Sequence, residues 1–292
     1  MSKLFKIKSQ IARKMMGLLG LRPASGQYIS GDGFRKIADH LYDETERFRP
    51  EEVQPDEVVF VNTDLLDSYF ELIHPLIKFP YKLITHNSDK NITERELKYL
   101  DAKIIKWFAQ NVTVNHPKLI PLPIGLENLH YYVNGVPNLF DKFKRGPSNK
   151  KPRVLFGFSV STNRAERQEA LNNLEKNPLA DKIEGFPLPP QYLSLLNSYQ
   201  FVASPPGNGL DCHRTWEAMY LGVIPIVKRS VATEYFLNLG LPLLPVENWS
   251  DLPPRNGEEL SSLYQDIMAR KKIDALKMDY WAKLIKQNDG EN

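Results

Sequence analysis

Cysteine is almost absent: Cys212 is the sole example in 292 residues. A disulfide within the chain is therefore excluded, as is a cysteine-rich zinc site. That usage fits a reducing compartment, and a cytoplasmic location is the expectation. No apolar run approaches the ~20 residues needed to cross a bilayer. Net charge is only +3, too little to point to nucleic acid as a partner. Several reaction signatures are also missing. There is no G-x-x-x-x-G-K-[ST], no strand-linked G-x-G-x-x-G, no G-x-S-x-G and no H-E-x-x-H. ATPase, dehydrogenase, esterase and zinc-protease chemistries lose their usual supports.

What remains is globular. The chain is 42% hydrophobic, 11% aromatic and 25% charged, enough for one large core or two ordinary ones. Three matches to the glycosylation sequon, at Asn91, Asn111 and Asn248, read as chance because nothing else points to secretion.

The N-terminus carries a helical stripe. Leu4, Ile7, Ile11, Met15 and Leu18 recur at steps of three and four. Lys3, Lys6, Lys8, Arg13 and Lys14 accompany it, and no acid appears before Asp32. Such a helix, over residues 1–24, either docks its stripe on the protein or lays residues 1–22 on an anionic membrane surface, at its inner face.

Beyond it, strands and helices alternate, which implies a layered α/β fold. "EVVFVNTD" and "YKLITHNSD" read as strands ending in polar clusters, with "LLDSYFELIHPLI" a helix between them. Thr93 to Asn111 reads as a helix: Thr93 and Glu96 have capping-box spacing, and Leu97, Leu100, Ile104 and Phe108 follow at helical steps. "KLIPLPIGLEN" is a short strand. The segment from Val133 to Pro152 is rich in Asn, Gly, Pro and Lys and reads as a linker. The alternation then restarts. The expected organisation is an N-terminal domain over 25–145, a second domain over 146–256, and a helical segment over 257–292. Both domains are expected to be Rossmann-like and doubly wound, facing a cleft.

The chemistry gathers at strand ends. "SPPGNGLDCHRTWEAMYLG", Ser204 to Gly222, runs from a strand through a glycine-rich loop into a helix ended by Gly222. Gly207 and Gly209 leave the backbone open to close approach, and Asp211 can cap the helix. Its first turn offers free N–H groups to an anion, with Arg214 adding charge. Glu217, one turn on, can accept from both hydroxyls of a ribose. The competing reading is an Arg214–Glu217 ion pair at i,i+3. In "FGFSVSTNRAERQEAL", Arg164 and Arg167 either clamp a pyrophosphate or sit on a solvated helix face. Three side chains are candidates for a base: His86 and Asp89 in "THNSD", and Asp32 in "SGDGF". His86 is equally suited to a structural hydrogen bond, and Asp32 to a simple turn.

"FVASPPGNGLDCHRTWEAMYLGVIPIV" resembles the donor-binding segment of exostosin-like glycosyltransferases, the glycosyltransferase family 47 group. "WFAQNV" with "HPKLIPLPIGLEN" is similar to the end of the first domain in such proteins, and the resemblance extends from Tyr28 to about Leu252. It implies a GT-B fold and transfer of a sugar from a nucleotide sugar, a UDP-sugar, to a glycan or glycolipid. It also implies an inverting reaction with no metal and no other cofactor. The absence of an Asp-x-Asp pair at a strand end agrees with that. By motif position the resemblance places Glu217 on the ribose. Ser204, Gly207, Asn208, Gly209 and Arg214 then line the phosphates and sugar, Arg164 or Arg167 meets the pyrophosphate, and Gly185 to Tyr192 lies beside the base. Two departures stand out. The chain is short, without the N-terminal membrane anchor of Golgi members, and "PPG" replaces a Pro-Arg-Gly step, which removes one cation from the phosphate loop. Alternatives are a GDP-fucose-type fucosyltransferase or other GT-B enzyme, and an inactive glycan- or nucleotide-binding protein of the same shape.

Overall fold

The computed structural model describes residues 2–144, 149–252 and 256–287, the first five of them by backbone alone. The expected domain boundary at 145/146 and the side chains of Lys3, Leu4 and Lys6 lie outside the described residues. Helix α1 (Ser2–Leu19) leads into α2 (Gly31–Ile37), whose N-cap Ser30 accepts from Gly33 N. Five strands follow: β1 (His40–Tyr42), β2 (Val58–Asn62), β3 (Tyr81–His86), β4 (Ile104–Gln110) and β5 (Leu119–Leu122), with α3 (Leu66–Leu72) between β2 and β3. They form one parallel sheet in sequential order, β1-β2-β3-β4-β5.

That order has a consequence. Parallel crossovers are right-handed, so sequential strands send every connection to one face. The connections supply Val53, Leu66, Tyr69, Phe70 and Ile77, which pack on Val59, Val61, Leu83 and Trp107. The opposite face carries Phe60, Ile84 and Phe108 in register, and it must be covered from elsewhere. The cover is α2 from before the sheet and α10 (Met278–Lys286) from the far end of the chain. Phe34, Trp281 and Ile285 are fully buried there, each contributing about 2 kcal/mol of apolar burial. Lys82 Nζ donates to Gln287 O at 2.9 Å, and Met278 N to Gln27 O at 3.0 Å.

The second sheet contains β6 (Lys151–Phe156), β7 (Ala180–Lys182), β8 (Tyr199–Ala203), β9 (Ile224–Lys228) and β10 (Leu244–Val246), all parallel, in the order β10-β9-β8-β6-β7. Helices α5 (Arg164–Leu174) and α9 (Gly257–Arg270) cover one face. Helices α6 (Pro189–Leu196), α7 (His213–Tyr220) and α8 (Val231–Asn238) cover the other, and that core runs on without a break into the α2–α10 face of the first sheet.

Two sequence expectations fail. The segment from Thr93 to Asn111 is a single 3-10 turn (Glu96–Tyr99) followed by β4. The local capping pattern is present, since Glu96 Oε2 accepts from Thr93 N and Thr93 Oγ1. Asp101 Oδ1 then takes the N–H groups of Lys103 and Ile104 and turns the chain into the sheet. The linker-like stretch from Val133 to Pro152 contains α4 (Pro137–Lys144), held by buried Phe140. The C-terminal segment is a pair, α9 and α10.

Among the described residues the stripe of α1 faces outward. Ile7, Ile11, Met15, Leu18 and Leu19 are all exposed. The helix passes beside the turn at Leu129–Tyr131. No helix among the described residues is long and apolar enough to cross a membrane.

Candidate active site

The strand order of the second sheet creates a crevice. β7 lies on one side of β6 and β8 on the other, so the loops after β6 and β8 leave the sheet toward opposite faces. Arg167 knits those loops together. Its Nε donates to Pro206 O and its Nη1 to Ser159 O, both at 2.9 Å. A side chain at Gly207 would begin 2.9 Å from that guanidinium, so glycine here makes room for Arg167. Asn163 caps α5 and also donates to Gly207 O at 3.1 Å.

The glycine-rich loop is equally tied to the first domain. A Cβ at Gly209 would meet Asn111 Nδ2 at 2.8 Å. Asn111 sits just past β4 with φ of 55°, a left-handed turn that asparagine tolerates. Its Oδ1 accepts from Asp211 N at 3.1 Å. Asp211 does not cap α7 through a helical N–H beyond Cys212. It accepts from Cys212 N (2.9 Å), Trp216 Nε1 (2.7 Å) and Ile124 N of the first domain (2.8 Å). Burial pushes its carboxyl up to about 6. His213 Nδ1 donates to Gly125 O at 2.8 Å, and burial lowers the ring's pKa, so it stays neutral.

Behind the loop, three polar groups converge with their hydrogen bonding incomplete. Arg214 Nη2 donates to Gly157 O at 2.7 Å, but its Nε is buried without a partner. The Tyr192 hydroxyl on α6 is buried without a partner as well, close enough to Arg214 and Glu217 to interact with both charges. Glu217 is only 6% exposed, and burial raises its carboxyl to about 7 against the pull of Arg214. Buried polar groups are almost always paired, so the open hydrogen-bonding positions of this cluster stand out.

Two cavities open nearby, and of these three residues Arg214 alone lines one of them. A cavity of about 270 Å³ is bounded by Arg167, Gly207, Asn208, Gly209, Cys212 and Arg214. A cleft of about 570 Å³ lies against the C-terminal ends of the first sheet. Asp89, Ile124 and His213 border both.

The expected residues separate accordingly. Asp89 is exposed at the junction of the two cavities. His86 borders the cleft, yet its Nε2 donates to Pro123 O and its Nδ1 accepts from Asn87 N; burial holds it neutral, with its pKa lowered to about 4. Asp32 is buried between Arg22 Nε (2.9 Å) and His130 Nδ1 (2.6 Å), so both oxygens are engaged. Neither of the last two can serve as a base without losing its structural bonds. Ser204 is buried against Thr215 Oγ1 at 2.9 Å and does not reach the cavity. Arg164 is exposed on the first turn of α5, outside the lining of either cavity. Gly207, Asn208, Gly209, Arg167 and Arg214 line the smaller one, and Glu217 lines neither.

Sequence reasoning missed Asn87, Gln110, Asn111 and Glu127. The signal was available for two of them: Asn87 and Asn111 each follow a strand directly and take left-handed φ values.

No family model matches the chain, and no curated protein matches it. Solved structures similar to it include α,α-trehalose 6-phosphate synthase from Burkholderia multivorans (TM-score 0.46, 9% identity, 80% of this chain and 70% of that one). The glycotransferase of kitacinnamycin is another (0.34, 13%, 81% and 76%). A third is UDP-GlcNAc 2-epimerase from Neisseria meningitidis (0.34, 12%, 78% and 74%). The architecture is GT-B. It is defined in this chain by two parallel α/β sheets, the crevice at the β6/β8 switch, and a last helix that returns to the first sheet.

Proposed function

We propose that the chain is a glycosyltransferase of exostosin-like type. It binds a nucleoside diphosphate sugar, a UDP-sugar, in the smaller cavity and transfers the sugar to an acceptor in the larger cleft. The observation that carries this is the cluster of Tyr192, Arg214 and Glu217, with two buried orphan atoms beside a carboxylate. A ribose diol donates to Glu217 and accepts from Arg214 Nε and the Tyr192 hydroxyl. The diphosphate then lies toward the glycine loop and the start of α7, where Arg214 and backbone N–H groups neutralise the leaving group without a metal. Asp89 is the base, since it alone of the expected carboxylates stands exposed between the two cavities.

The test is Glu217→Gln with a nucleotide panel read by thermal shift and calorimetry. UDP should stabilise the protein more than GDP or ADP. The variant should bind UDP about 10- to 100-fold more weakly, the loss of a hydrogen bond to a charged group. The unliganded variant should behave oppositely. A carboxyl raised to about 7 in the fold, against 4.5 unfolded, loses its contribution to stability as pH rises through that window. Removing the charge should stabilise the protein by on the order of 3 kcal/mol at pH 8 and by almost nothing near pH 4.5. Unchanged UDP affinity would sink the ribose assignment.

The exposed stripe and basic residues of α1 support a second element of the proposal: docking on an anionic membrane beside the cleft mouth, where a glycolipid acceptor would be presented. Deleting residues 2–19, the whole of α1, should abolish cosedimentation with phosphatidylglycerol vesicles and leave UDP binding intact. Retention of vesicle binding by the truncated protein would refute it.

A further inference from the structure

The larger cleft carries chemistry of its own. Its wall holds four carboxylates, Glu44, Asp64, Asp89 and Glu127, against one arginine, Arg22. That arginine is already spent: it donates to Asp32 and Glu44 and lies 3.5 Å from Asp43. The two histidines in the wall, His86 and His213, are neutral. The rest of the wall is amide-rich, with Asn62, Asn87, Gln110 and Asn128.

Two of those amides are incomplete. Gln110, at the end of β4 and 2% exposed, has its Oε1 buried with no donor. Asn87 has its Nδ2 buried with no acceptor, while its Oδ1 is fixed by Asn128 Nδ2 at 3.0 Å. The backbone crowds Asn87 into place: a Cβ on Gly31 would fall 1.6 Å from Asn87 Oδ1, so only glycine lets α2 approach. The orphan pair is one acceptor and one donor. A hydroxyl satisfies both kinds. An ammonium satisfies Gln110 Oε1. A carboxylate, sulfate or phosphate satisfies only Asn87 Nδ2, leaves Gln110 unpaired and faces four like charges.

We infer that the cleft between Glu44, Asp89, Gln110 and Glu127 accepts a polyhydroxylated saccharide bearing no negative charge, neutral or amine-bearing, and rejects anionic glycans. This rests on reading that cleft as the acceptor side of the proposed transferase. Tyr131, 48% exposed at the rim, offers a flat face to a sugar ring.

Saturation-transfer NMR on the full chain, with methyl glucoside, methyl glucosaminide and methyl glucuronide competing in one sample, tests it. The glucosaminide and the glucuronide each differ from the glucoside at one carbon, C2 and C6 respectively. Transfer should reach the first two and be at least tenfold weaker for the glucuronide. Asp64→Lys, a change at an exposed position, should admit the glucuronide. Equal or stronger transfer to the glucuronide in the unaltered protein overturns the inference, and so does transfer to none of the three. UDP binding is measured in the same sample. Saccharide binding without UDP binding would defeat the donor assignment and leave this one standing. UDP binding with glucuronide uptake would do the reverse.

Discussion

Asp89→Asn should lower the rate of sugar release from the UDP-sugar that stabilises the protein best by about 10²- to 10⁴-fold, the usual contribution of a positioned base. UDP affinity should change less than twofold. The reasoning is positional. Asp89 lies three residues beyond β3, exposed, at the meeting of both cavities. The cavity proposed for the nucleotide is lined by the glycine loop, so the loss should appear in kcat rather than in binding. Asp32→Asn should behave differently, because it disturbs the Arg22 and His130 contacts and so lowers stability together with rate. A full-rate Asp89→Asn enzyme would move the base elsewhere, with Glu127 next in line.

Asp211→Ala should cost about 3–5 kcal/mol of unfolding free energy, read by urea titration. Three N–H donors lose their acceptor at once: Ile124 N and Cys212 N of half-buried residues, and Nε1 of buried Trp216. With its pKa raised only to about 6, Asp211 is ionised at neutral pH, so all three bonds are charge-assisted. Because Ile124 belongs to the first domain and Trp216 to the second, the same change should weaken UDP binding by letting the glycine loop drift. Asp211→Asn retains one acceptor oxygen and removes a charge that burial disfavours, so it should cost much less than the alanine. A loss under about 1 kcal/mol for the alanine variant would show that the bonds are replaced by water.

The second half of the molecule was the more readable. The strand, loop, helix and strand from Phe201 to Val227 follow their sequence signals closely, and Gly222 takes the left-handed φ of 66° that ends α7. β4 was unreadable for a physical reason. It lies inside a parallel sheet with Ile104, Trp107 and Ala109 on one face and Phe108 on the other. A strand buried on both sides has no alternation, and its apolar positions can mimic a helical stripe. The sheet to which a distant helix belongs is equally invisible: nothing local in "MDYWAKLIK" says that Trp281 completes the first domain. At the site, residue types were legible and their availability was not. His86 and Asp32 look like Asp89 in sequence; only the neighbours that occupy their hydrogen-bonding atoms tell them apart. The role of the loop glycines also changed, since the groups that approach Gly207 and Gly209 are Arg167 and Asn111 of this chain.

The return of α10 to the first sheet means that the backbone passes between the two domains twice, once ahead of β6 and once between α9 and α10. A body tethered at two points keeps one rotation, about the line through them, and loses twist and slide. A movement of one domain against the other would be a swing of a single angle, and it would have to break the contacts that Asp211, Asn111 and His213 make across the two. One distance measured across the cleft would report the whole movement.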